Sequence, residues 1–450
     1  MYVTASPFTS RVRSFIPLHS SMPSPQSATQ ILSYITAVRY LFDGRKLTQE
    51  GYDKYKGGVF KIAMLDHWEV IASGPRAIED ISKAPTDTLS LLDAVQRTAE
   101  VDYTLVPEIR RDLYHIHIIR SRLTRGLNAL FSDVREEVIS AFNGLVPVTD
   151  EWVPYPAQET VMQIVSWASN RVFVGLLKCR DADFCALNVD FTIAVVKAVL
   201  VLNRFPDLMK SLASRLLTSI PSARAIHHLA PIIEERRAKQ LALGDSWDDK
   251  PGQEQSVRNL AIRILTVNFT AIDTSSMSFT QTLYHFAANP EYACVLREEI
   301  ESAVAEDGWT KHARERFSRA HRCRHTTILN CMPIPTSSIP GASPACANHT
   351  NSDDDLSALV RAKLQIVFTS TDFLFFGHGK HACPGRFFAA HEIKAMLAHV
   401  VVAYDVKFEN GAADFPPNVF IGSASLPGKG QVIFRKRQVS DELTLAFLEK

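Results

Sequence analysis

The chain has 450 residues, of which 46% are hydrophobic and 22% are charged. These values are ordinary for a globular protein, and the length admits two or three small domains or one large helical domain. The formal net charge of +1 gives no reason to expect nucleic acid or another polyanion as a partner. The seven cysteines are odd in number and follow no framework spacing, which indicates a reducing compartment and no structural disulfides.

The first 40 residues are rich in serine and proline and lack the apolar core of a secretory signal. We interpret residues 1–40 as a flexible or wrongly assigned start, and residues 41–450 as a single domain. An organelle-transit segment is the alternative, because no acidic residue occurs up to Phe42. No apolar run reaches the roughly 20 residues that a transmembrane helix needs, since Lys197 and other polar residues interrupt the best candidates.

Residues 57–74 predict a β-hairpin, with a turn at Leu65, Asp66 and His67. Apolar residues then recur at spacings of three and four, which predicts a long series of helices. These helices cover residues 75–84, 107–145, 156–176, 188–204 and 226–243. The longest pattern runs from about Ser256 to Ala288, where Asn289 and Pro290 end it, and a shorter helix follows up to Gly308.

Residues 309–355 have no lasting period and are rich in Arg, His, Ser and Pro, which predicts a loop or disorder. His321, Cys323, His325 and Cys331 in this segment suggest a zinc cluster, but their spacing fits none of the usual zinc sites. A loop containing Cys383 follows, then a helix from about Arg386 to Val402 and closing strands. The predicted fold class is mostly α with a small β region.

The most informative segment is FFGHGKHACPGRFF, residues 375–388. Gly377 and Gly379 allow the backbone to turn sharply and approach a flat partner closely. Pro384 suits the first position of a helix, which places Cys383 at a helix N-terminus. The positive end of a helix stabilises a thiolate, so this cysteine is suited to act as a nucleophile or as a metal ligand.

Three interpretations of Cys383 compete. A structural buried cysteine is the usual one, but it explains neither the glycines nor the following helix. A catalytic nucleophile needs a base and oxyanion donors, and His381 is a candidate base, but no acyl-transfer signature accompanies it. The third interpretation is an axial thiolate to haem iron, with backbone lying against the porphyrin.

The pattern Phe-x-x-Gly-x-His-x-Cys-x-Gly resembles the haem-binding signature of the cytochrome P450 superfamily, in a fungal form. Its constrained positions are filled by Phe376, Gly379, His381, Cys383 and Gly385. The resemblance implies the mostly α P450 fold and a heme b with Cys383 as the axial ligand. It also implies that Phe376 shields the sulfur, that Gly377 and Gly379 border the haem, and that His381 pairs with a propionate.

A second segment resembles the distal helix of the same family. Ala271, Asp273 and Thr274 match its Ala-x-Asp-Thr pattern. The resemblance implies that Thr274 relays protons to oxygen, that Asp273 links the relay to solvent, and that the small Ala271 leaves room for O2 and substrate. The many hydroxyl side chains weaken this helix, which would permit the local bulge that such a site needs. The alternative is a Ser/Thr-rich helix face against solvent.

Residues 114–127 resemble the early helix from which the family contacts a haem propionate, and His115 and Arg120 are the candidates. The family's tryptophan is absent there, and a solvated helix face is an equal alternative. A larger departure is that no Glu-x-x-Arg motif occurs between residues 291 and 375. The irregular segment 309–355 lies where that motif belongs. We therefore expect an incomplete gene product, in which a retained intron or a frame change replaces the motif.

The resemblance implies a monooxygenase that inserts one oxygen atom of O2 into a hydrophobic small molecule, in a reaction of the hydroxylation type. It also implies an NADPH-dependent reductase as electron donor, for which Lys380, Arg386 and Lys394 form a positive face or are ordinary surface residues. The alternatives are a degenerate haem-binding relative without turnover and a helical scaffold with an accidental motif. The family suggests the surface of the endoplasmic reticulum membrane, but the absence of a predicted anchor leaves the location open.

Overall fold

The computed structural model describes residues 2–4, 30–64, 68–105, 107–147, 149–202, 207–243, 256–307, 366–421 and 424–437. The chain forms two compact units. The first comprises Met1–Ala94, Glu298–Arg386 and Pro416–Gly428, and the second comprises Val95–Arg297, Phe387–Phe415 and Lys429–Lys450. The predicted fold class, mostly α with a small β region, is confirmed.

The helices, in chain order, are α1 (Gln30–Lys54), α2 (Pro75–Lys83), α3 (Leu91–Ala99), α4 (Val101–Thr104), α5 (Pro107–Arg111), α6 (Tyr114–Ile118), α7 (Thr124–Leu145), α8 (Ala157–Phe173), α9 (Leu176–Cys179), α10 (Ala182–Leu202), α11 (Asp207–Leu243), α12 (Val257–Ala288), α13 (Glu291–Asp307) and α14 (Arg386–Ala403). A π-helical turn, Ile119–Leu123, joins α6 to α7. The strands are β1 (Tyr2–Thr4), β2 (Val59–Ala63), β3 (Trp68–Ala72), β4 (Val153–Pro156), β5 (Tyr404–Lys407), β6 (Val419–Ile421), β7 (Ala424–Leu426) and β8 (Gln431–Lys436).

The first unit contains an antiparallel sheet in the order β1-β3-β2, with α1 packed against β2. The predicted hairpin is confirmed, with Val59 of β2 opposite Ala72 of β3, while its turn at residues 65–67 lies outside the described residues. Tyr40 and Leu47 of α1 pack on Phe60 of β2 in a small buried cluster. The helix α1 begins at Gln30, inside the stretch for which the sequence favoured a flexible start.

The second unit is built around α12, which packs against α8, α10 and α11. Apolar residues at helical spacing on three of these helices form its main buried cluster. They are Phe184, Leu187, Phe191 and Val195 of α10, Ala225 and Leu229 of α11, and Ala261 and Leu265 of α12. An antiparallel sheet in the order β4-β8-β5 belongs to the same unit.

The boundaries of α12 agree with the prediction. Its N-terminus is capped by the Ser256 hydroxyl, which accepts a hydrogen bond from the Asn259 backbone N–H at 3.2 Å. The helix ends at Ala288, directly before Asn289 and Pro290. Across the described ranges, no helix is both long enough and apolar enough to cross a membrane.

Three predicted helices have different bounds in the structure. The expected helix over 107–145 is interrupted at Asp112 and Leu113, where the Asp112 carboxylate accepts the Tyr114 backbone N–H at 3.1 Å, and a new helix begins at Tyr114. The helix expected from residue 188 begins at Ala182, where Asp181 caps the first turn. The helix expected from residue 226 begins at Asp207 and continues through Pro221, although proline usually marks a helix boundary.

Arg297 of α13 fixes the C-terminal end of α14. Its guanidinium donates to the carbonyl oxygens of Val401 and Tyr404, both at 3.0 Å, and to Asp405 Oδ1 at 2.9 Å. The last carbonyls of a helix lack partners within the helix, so a cation placed there satisfies both their hydrogen-bonding needs and the helix dipole. The same carboxylate also accepts Arg435 Nη2 at 2.9 Å.

Replacing Arg297 with methionine is therefore expected to lower the free energy of unfolding by about 2 kcal/mol, the scale of lost hydrogen bonds to a charged group. Arg435→Met is the matched control, because it removes an ion pair to the same carboxylate and a cation–π contact with Trp152 but no contact with a helix end. The control is expected to cost less than about 1 kcal/mol. Urea-induced unfolding of both variants measures the difference, and equal losses would contradict this role of Arg297.

Candidate functional site

The cysteine loop, residues 374–385, is closed by its own backbone. The Cys383 N–H donates to the Phe376 carbonyl at 2.8 Å, and the Gly377 N–H donates to the Leu374 carbonyl at 2.9 Å. The Ala382 N–H donates to the Gly379 carbonyl at 3.1 Å, within the 3₁₀ turn Gly379–His381. These bonds return the chain on itself, so the cysteine is carried by a defined turn.

Cys383 is half-buried and takes part in no disulfide. The expectation that Pro384 is the first helical residue is wrong, because α14 begins at Arg386 and residues 384–385 form a turn. Arg386 ties the turn to the helix, since its Nη1 donates to the Cys383 carbonyl at 3.1 Å. Cys383 therefore precedes the helix closely but is not part of its first turn.

Two glycines in the loop have backbone angles that other residues rarely adopt. Gly377 has φ +71° and Gly379 has φ +62°. A Cβ atom at Gly379 would lie 2.9 Å from Ser82 Cβ of α2, and one at Gly377 would lie 3.0 Å from the His381 carbonyl oxygen. The glycines thus let the loop pack closely against α2 and against its own backbone. The sequence alone had not indicated these two contacts.

We expect Gly379→Ala to destabilise the protein by roughly 2 kcal/mol, because it adds a steric clash with Ser82 to the backbone strain at positive φ. Gly411→Ala is the matched control, since Gly411 has φ +69° but no atom within 4 Å of the added Cβ. The control carries the backbone strain alone, about 1 kcal/mol. Thermal unfolding midpoints of both variants test this, and a Gly379→Ala loss no larger than that of the control would refute the clash.

Helix α2 supports the loop through contacts that the sequence analysis missed. His378 Nε2 lies 3.6 Å from Glu79 Oε2, and the Lys380 ammonium donates to the Ala84 carbonyl. The pKa of Glu79 is lowered, first by Lys83 and then by His378. Polar residues at spacings of three and four along α2 were the only sequence signal for this role.

The structure does not place all three candidate residues for a positive reductase-binding face on the surface. Lys394 is only 8% exposed, so its charge is not displayed on the surface, and its assignment to that face is wrong. Lys380 is exposed, and its ammonium donates to the Ala84 carbonyl. Arg386 is half-buried, with one guanidinium nitrogen on the Cys383 carbonyl.

Ala271, Asp273 and Thr274 lie together in the middle of α12, as predicted from the sequence. Asp273 is half-buried, and this burial raises the pKa of its carboxyl above the usual value. Thr274 is exposed, and its hydroxyl donates to the Thr270 carbonyl at 2.7 Å. The pair thus combines a carboxyl that binds a proton more tightly than usual with a hydroxyl on the next residue.

A row of hydroxyl side chains runs along α12 at intervals of four residues. Each hydroxyl donates to the backbone carbonyl four residues before it. The members of the row are Thr266, Thr270, Thr274, Ser278 and Thr282, with oxygen–oxygen distances between 2.7 and 2.9 Å. Such bonds compete with the helical ladder. Nevertheless α12 stays α-helical throughout, and the predicted local bulge is absent from it.

A buried polar contact links α14 to α8 in the second unit. Glu392 of α14 has no exposed surface, and its Oε1 accepts the Ser169 hydroxyl at 2.7 Å. Burial raises the pKa of Glu392 to about 7, although Ser169 and Ser275 act to lower it. Neither Ser275 Oγ nor Glu392 Oε2 makes a direct hydrogen bond of standard geometry, so the firm contact is the one with Ser169. The sequence analysis missed this glutamate.

The two candidate propionate partners differ in their surroundings. His115 is half-buried, its Nδ1 lies 2.8 Å from Arg263 Nη1 of α12, and burial with this arginine lowers its pKa to about 4. Arg120 is exposed and lies in the π-helical turn. At neutral pH His115 is uncharged, and Arg120 is the cation of the pair.

The structure thus gathers the predicted loop residues in the first unit and the predicted helix residues in the second. The loop set is Phe376, Gly377, Gly379, His381, Cys383 and Gly385. The suggested zinc residues between His321 and Cys331 lie outside the described residues. Within the described part of the chain, no three His, Cys, Asp or Glu side chains are grouped as metal ligands.

Comparison with known proteins identifies the family. The family profile described as Cytochrome P450 matches residues 191–316 and 362–434. Cytochrome P450 monooxygenase 151 of Postia placenta is 37% identical over 93% of this chain and 94% of its own length. A cytochrome P450 monooxygenase of Ganoderma lucidum is 31% identical over 94% and 92%, and one of Penicillium rubens is 29% identical over 88% and 82%. This chain belongs to the cytochrome P450 family and is a monooxygenase of that family.

Proposed function

We propose that this P450 inserts one oxygen atom of O2 into a C–H bond of a hydrophobic small molecule, with Cys383 as the axial ligand of a heme b. The family implies a haem-thiolate cofactor, O2 and a redox partner. The observation that carries the proposal is the closed loop that presents Cys383 directly before α14. A half-buried cysteine outside any disulfide is the donor that a single thiolate ligand requires.

The donor chemistry favours haem over a metal ion bound by side chains alone. Zinc needs three or four protein ligands, and the described residues contain no group of three that could supply them. A haem would need only one ligand from the protein, because its porphyrin already holds the iron. Cys383 alone therefore suffices, and the residues fit this cofactor.

When bound, the haem supplies O2 reduction and oxygen insertion, and the chain's own residues handle the protons. Burial raises the pKa of Asp273, which favours uptake of a proton from water by this carboxyl and its transfer to the neighbouring hydroxyl. Thr274 receives the proton at Oγ1 and releases its own when its hydroxyl turns away from the Thr270 carbonyl. Ala271 lies about one turn before Thr274 on the same helix, and its small side chain is proposed to leave room for O2 and substrate.

Three residues are proposed to bind the haem propionates. His381 of the cysteine loop and His115 act as hydrogen-bond donors, and Arg120 acts as a cation. A neutral histidine and a guanidinium suit this division, because a carboxylate accepts both neutral and charge-assisted hydrogen bonds. Phe376 is proposed to cover the sulfur, with its backbone carbonyl already bonded to the Cys383 N–H.

The substrate class and the electron donor are also proposals. Segments 86–105 and 188–210 and the helix α12 are proposed to line the substrate site. Apolar residues dominate 188–210, which supports a hydrophobic small molecule. An NADPH-dependent reductase is proposed to deliver the electrons. With Lys394 buried, the positive charge that such a partner would meet must come from other residues.

A degenerate haem-binding relative without turnover is the second candidate. The observation in its favour is that residues 291–375 contain no Glu-x-x-Arg motif. The family profile also passes over residues 317–361, which overlap the irregular segment 309–355. The same features support the expectation of an incomplete gene product.

Expression of the full chain in haem-replete cells separates these candidates. The reduced, carbon-monoxide-bound protein is expected to show the red-shifted Soret band of a thiolate ligand, and to oxidise apolar substrates with NADPH and a reductase. A thiolate band without NADPH-dependent product over a broad panel would favour the degenerate relative. A purified, folded chain without haem would overturn both haem proposals and leave the scaffold interpretation. A full thiolate band would also remove the case for a defective gene product.

A further inference from the structure

Arg263 of α12 contacts the break between α5 and α6. Its guanidinium is 3% exposed, and Nη1 donates to the Asp112 carbonyl oxygen at 2.6 Å. Asp112 is the residue at which the predicted long helix is interrupted. Arg263 thus donates from α12 to the backbone at this interruption.

Three further interactions of Arg263 reach the same short segment. Nη1 also lies 2.8 Å from His115 Nδ1, and Nη2 lies 3.7 Å from Asp112 Oδ2. The guanidinium carbon lies 4.3 Å from the centroid of the Tyr114 ring, within the range of a cation–π contact. One buried arginine thus contacts the backbone, a carboxylate, a ring and a histidine of residues 112–115.

The contact with His115 determines which nitrogen of the imidazole carries the proton. Guanidinium nitrogens are donors only, and Nη1 has two hydrogens, one for the Asp112 carbonyl and one for His115. Nδ1 of His115 must therefore be an acceptor with its lone pair facing Arg263. A neutral imidazole that accepts at Nδ1 carries its proton at Nε2.

We propose that Arg263 is a positioning residue that fixes His115 as the neutral, Nε2-protonated tautomer, so that His115 offers one uncharged N–H donor to a haem propionate. Only the contact between His115 and a haem propionate rests on the proposed function. The assignment of the tautomer follows from the contact with Arg263 alone. The cationic contribution to propionate binding then falls to Arg120.

The groups that act on His115 support this assignment. Burial lowers its pKa most, the Arg263 charge lowers it further, and Asp112 opposes them, giving a value of about 4. Tyr114 contacts the ring edge-on, with centroids 6.5 Å apart, and contributes no charge in its neutral form. Among the groups of the chain that act on His115, only Asp112 favours the charged imidazole, and it does not outweigh burial and the Arg263 charge.

The test begins with the full chain in its reduced, carbon-monoxide-bound, diamagnetic state, with ¹⁵N-labelled histidine and His115→Gln to assign the signal. The expected result is a neutral His115 with its proton at Nε2 at pH 7. A proton at Nδ1, or a charged ring at pH 7, would overturn the inference. If the chain takes up no haem, the proposed function fails, but the tautomer can still be read from the folded protein.

Variants of Arg263 separate positioning from a general effect on folding. Arg263→Met is expected to raise the titration midpoint of His115 by on the order of one pH unit and to mix its tautomers, since a nearby charge is lost. Arg263→Lys, also a donor only, is expected to restore the Nε2-protonated form. Arg258→Met is the control, because Arg258 is exposed on the first turns of the same helix. If Arg263→Met does not fold, the lysine variant and the wild-type spectrum still decide the tautomer.

The proposed contact between His115 and a haem propionate is tested by the rate of haem loss to apomyoglobin. Arg263→Met is expected to lose haem about fivefold faster, the effect of one hydrogen bond, while Arg263→Lys and Arg258→Met stay near the wild-type rate. An unchanged rate in Arg263→Met, with the predicted tautomer in the wild type, would refute the contact between His115 and a propionate. The positioning of His115 by Arg263 would still hold. An equal acceleration in Arg258→Met would refute the specific role of Arg263.

Discussion

Replacing Cys383 with serine is expected to abolish the thiolate Soret band of the reduced, carbon-monoxide-bound protein and to reduce NADPH-dependent oxidation to background. A serine hydroxyl stays protonated at neutral pH and cannot supply a thiolate. The contacts that shape the loop use the backbone of residue 383, namely its N–H to Phe376 and its carbonyl to Arg386. The variant should therefore fold, with its loss confined to the ligand. Difference spectra and product formation measure this effect.

Cys294→Ser is the matched control, because Cys294 is an exposed cysteine of α13 and undergoes the same chemical change. It is expected to keep the spectrum and the activity of the wild type. A Cys383→Ser protein with an undiminished thiolate band would show that another cysteine ligates the iron. Loss of haem in both variants would point to a general sensitivity of the chain, and the assignment of Cys383 would then have no support.

The cysteine loop could be predicted from the sequence because its constraints lie within a short segment. Gly377 and Gly379 were expected to adopt unusual backbone angles, and both have positive φ. The helix after the loop was expected at about Arg386 and begins there. The part that failed was the position of Pro384, which belongs to a turn because proline's preference for a first helical position is not a requirement.

Contacts between distant segments could not be predicted in this way. Arg263 and His115 are 148 positions apart, and Ser169 and Glu392 are 223 positions apart. Periodicity assigns residues to helices, but it does not say which polar residue on one helix meets which residue on another. Arg263, Ser169 and Glu392 are polar residues among buried neighbours of their helices, and this mismatch was the only signal in the sequence.

Glu392 is the strongest example of such a mismatch. It lies in α14 without exposed surface, and its firm partner is the neutral Ser169 hydroxyl of α8. A carboxylate buried without a cation is disfavoured, and burial accordingly raises the pKa of Glu392 from 4.5 to about 7. The protonated acid can donate as well as accept, so it suits neighbours such as Ser169 and Ser275 better than the anion does.

This shift predicts that stability falls as pH rises from about 5 to 8. The folded state binds the proton more tightly than the unfolded chain, so the full stability is present below the unfolded pKa and is lost as pH passes the folded one. A difference between 4.5 and about 7 corresponds to roughly 3 kcal/mol. Glu392→Gln stays neutral and keeps a donor and an acceptor, so its stability relative to the wild type should improve by about that amount from pH 5 to pH 8.

Thermal unfolding of the wild type, Glu392→Gln and Glu159→Gln at both pH values measures this change. Glu159 is exposed on α8, the helix that carries Ser169, so its variant should follow the wild type at each pH. Other buried groups do not confuse the comparison, since His399, whose pKa burial lowers to about 3, is present in all three proteins and cancels. A constant gap between Glu392→Gln and the wild type across this range would mean that Glu392 is ionised in the folded protein. The neutral hydrogen-bonded link between α8 and α14 would then have to be abandoned.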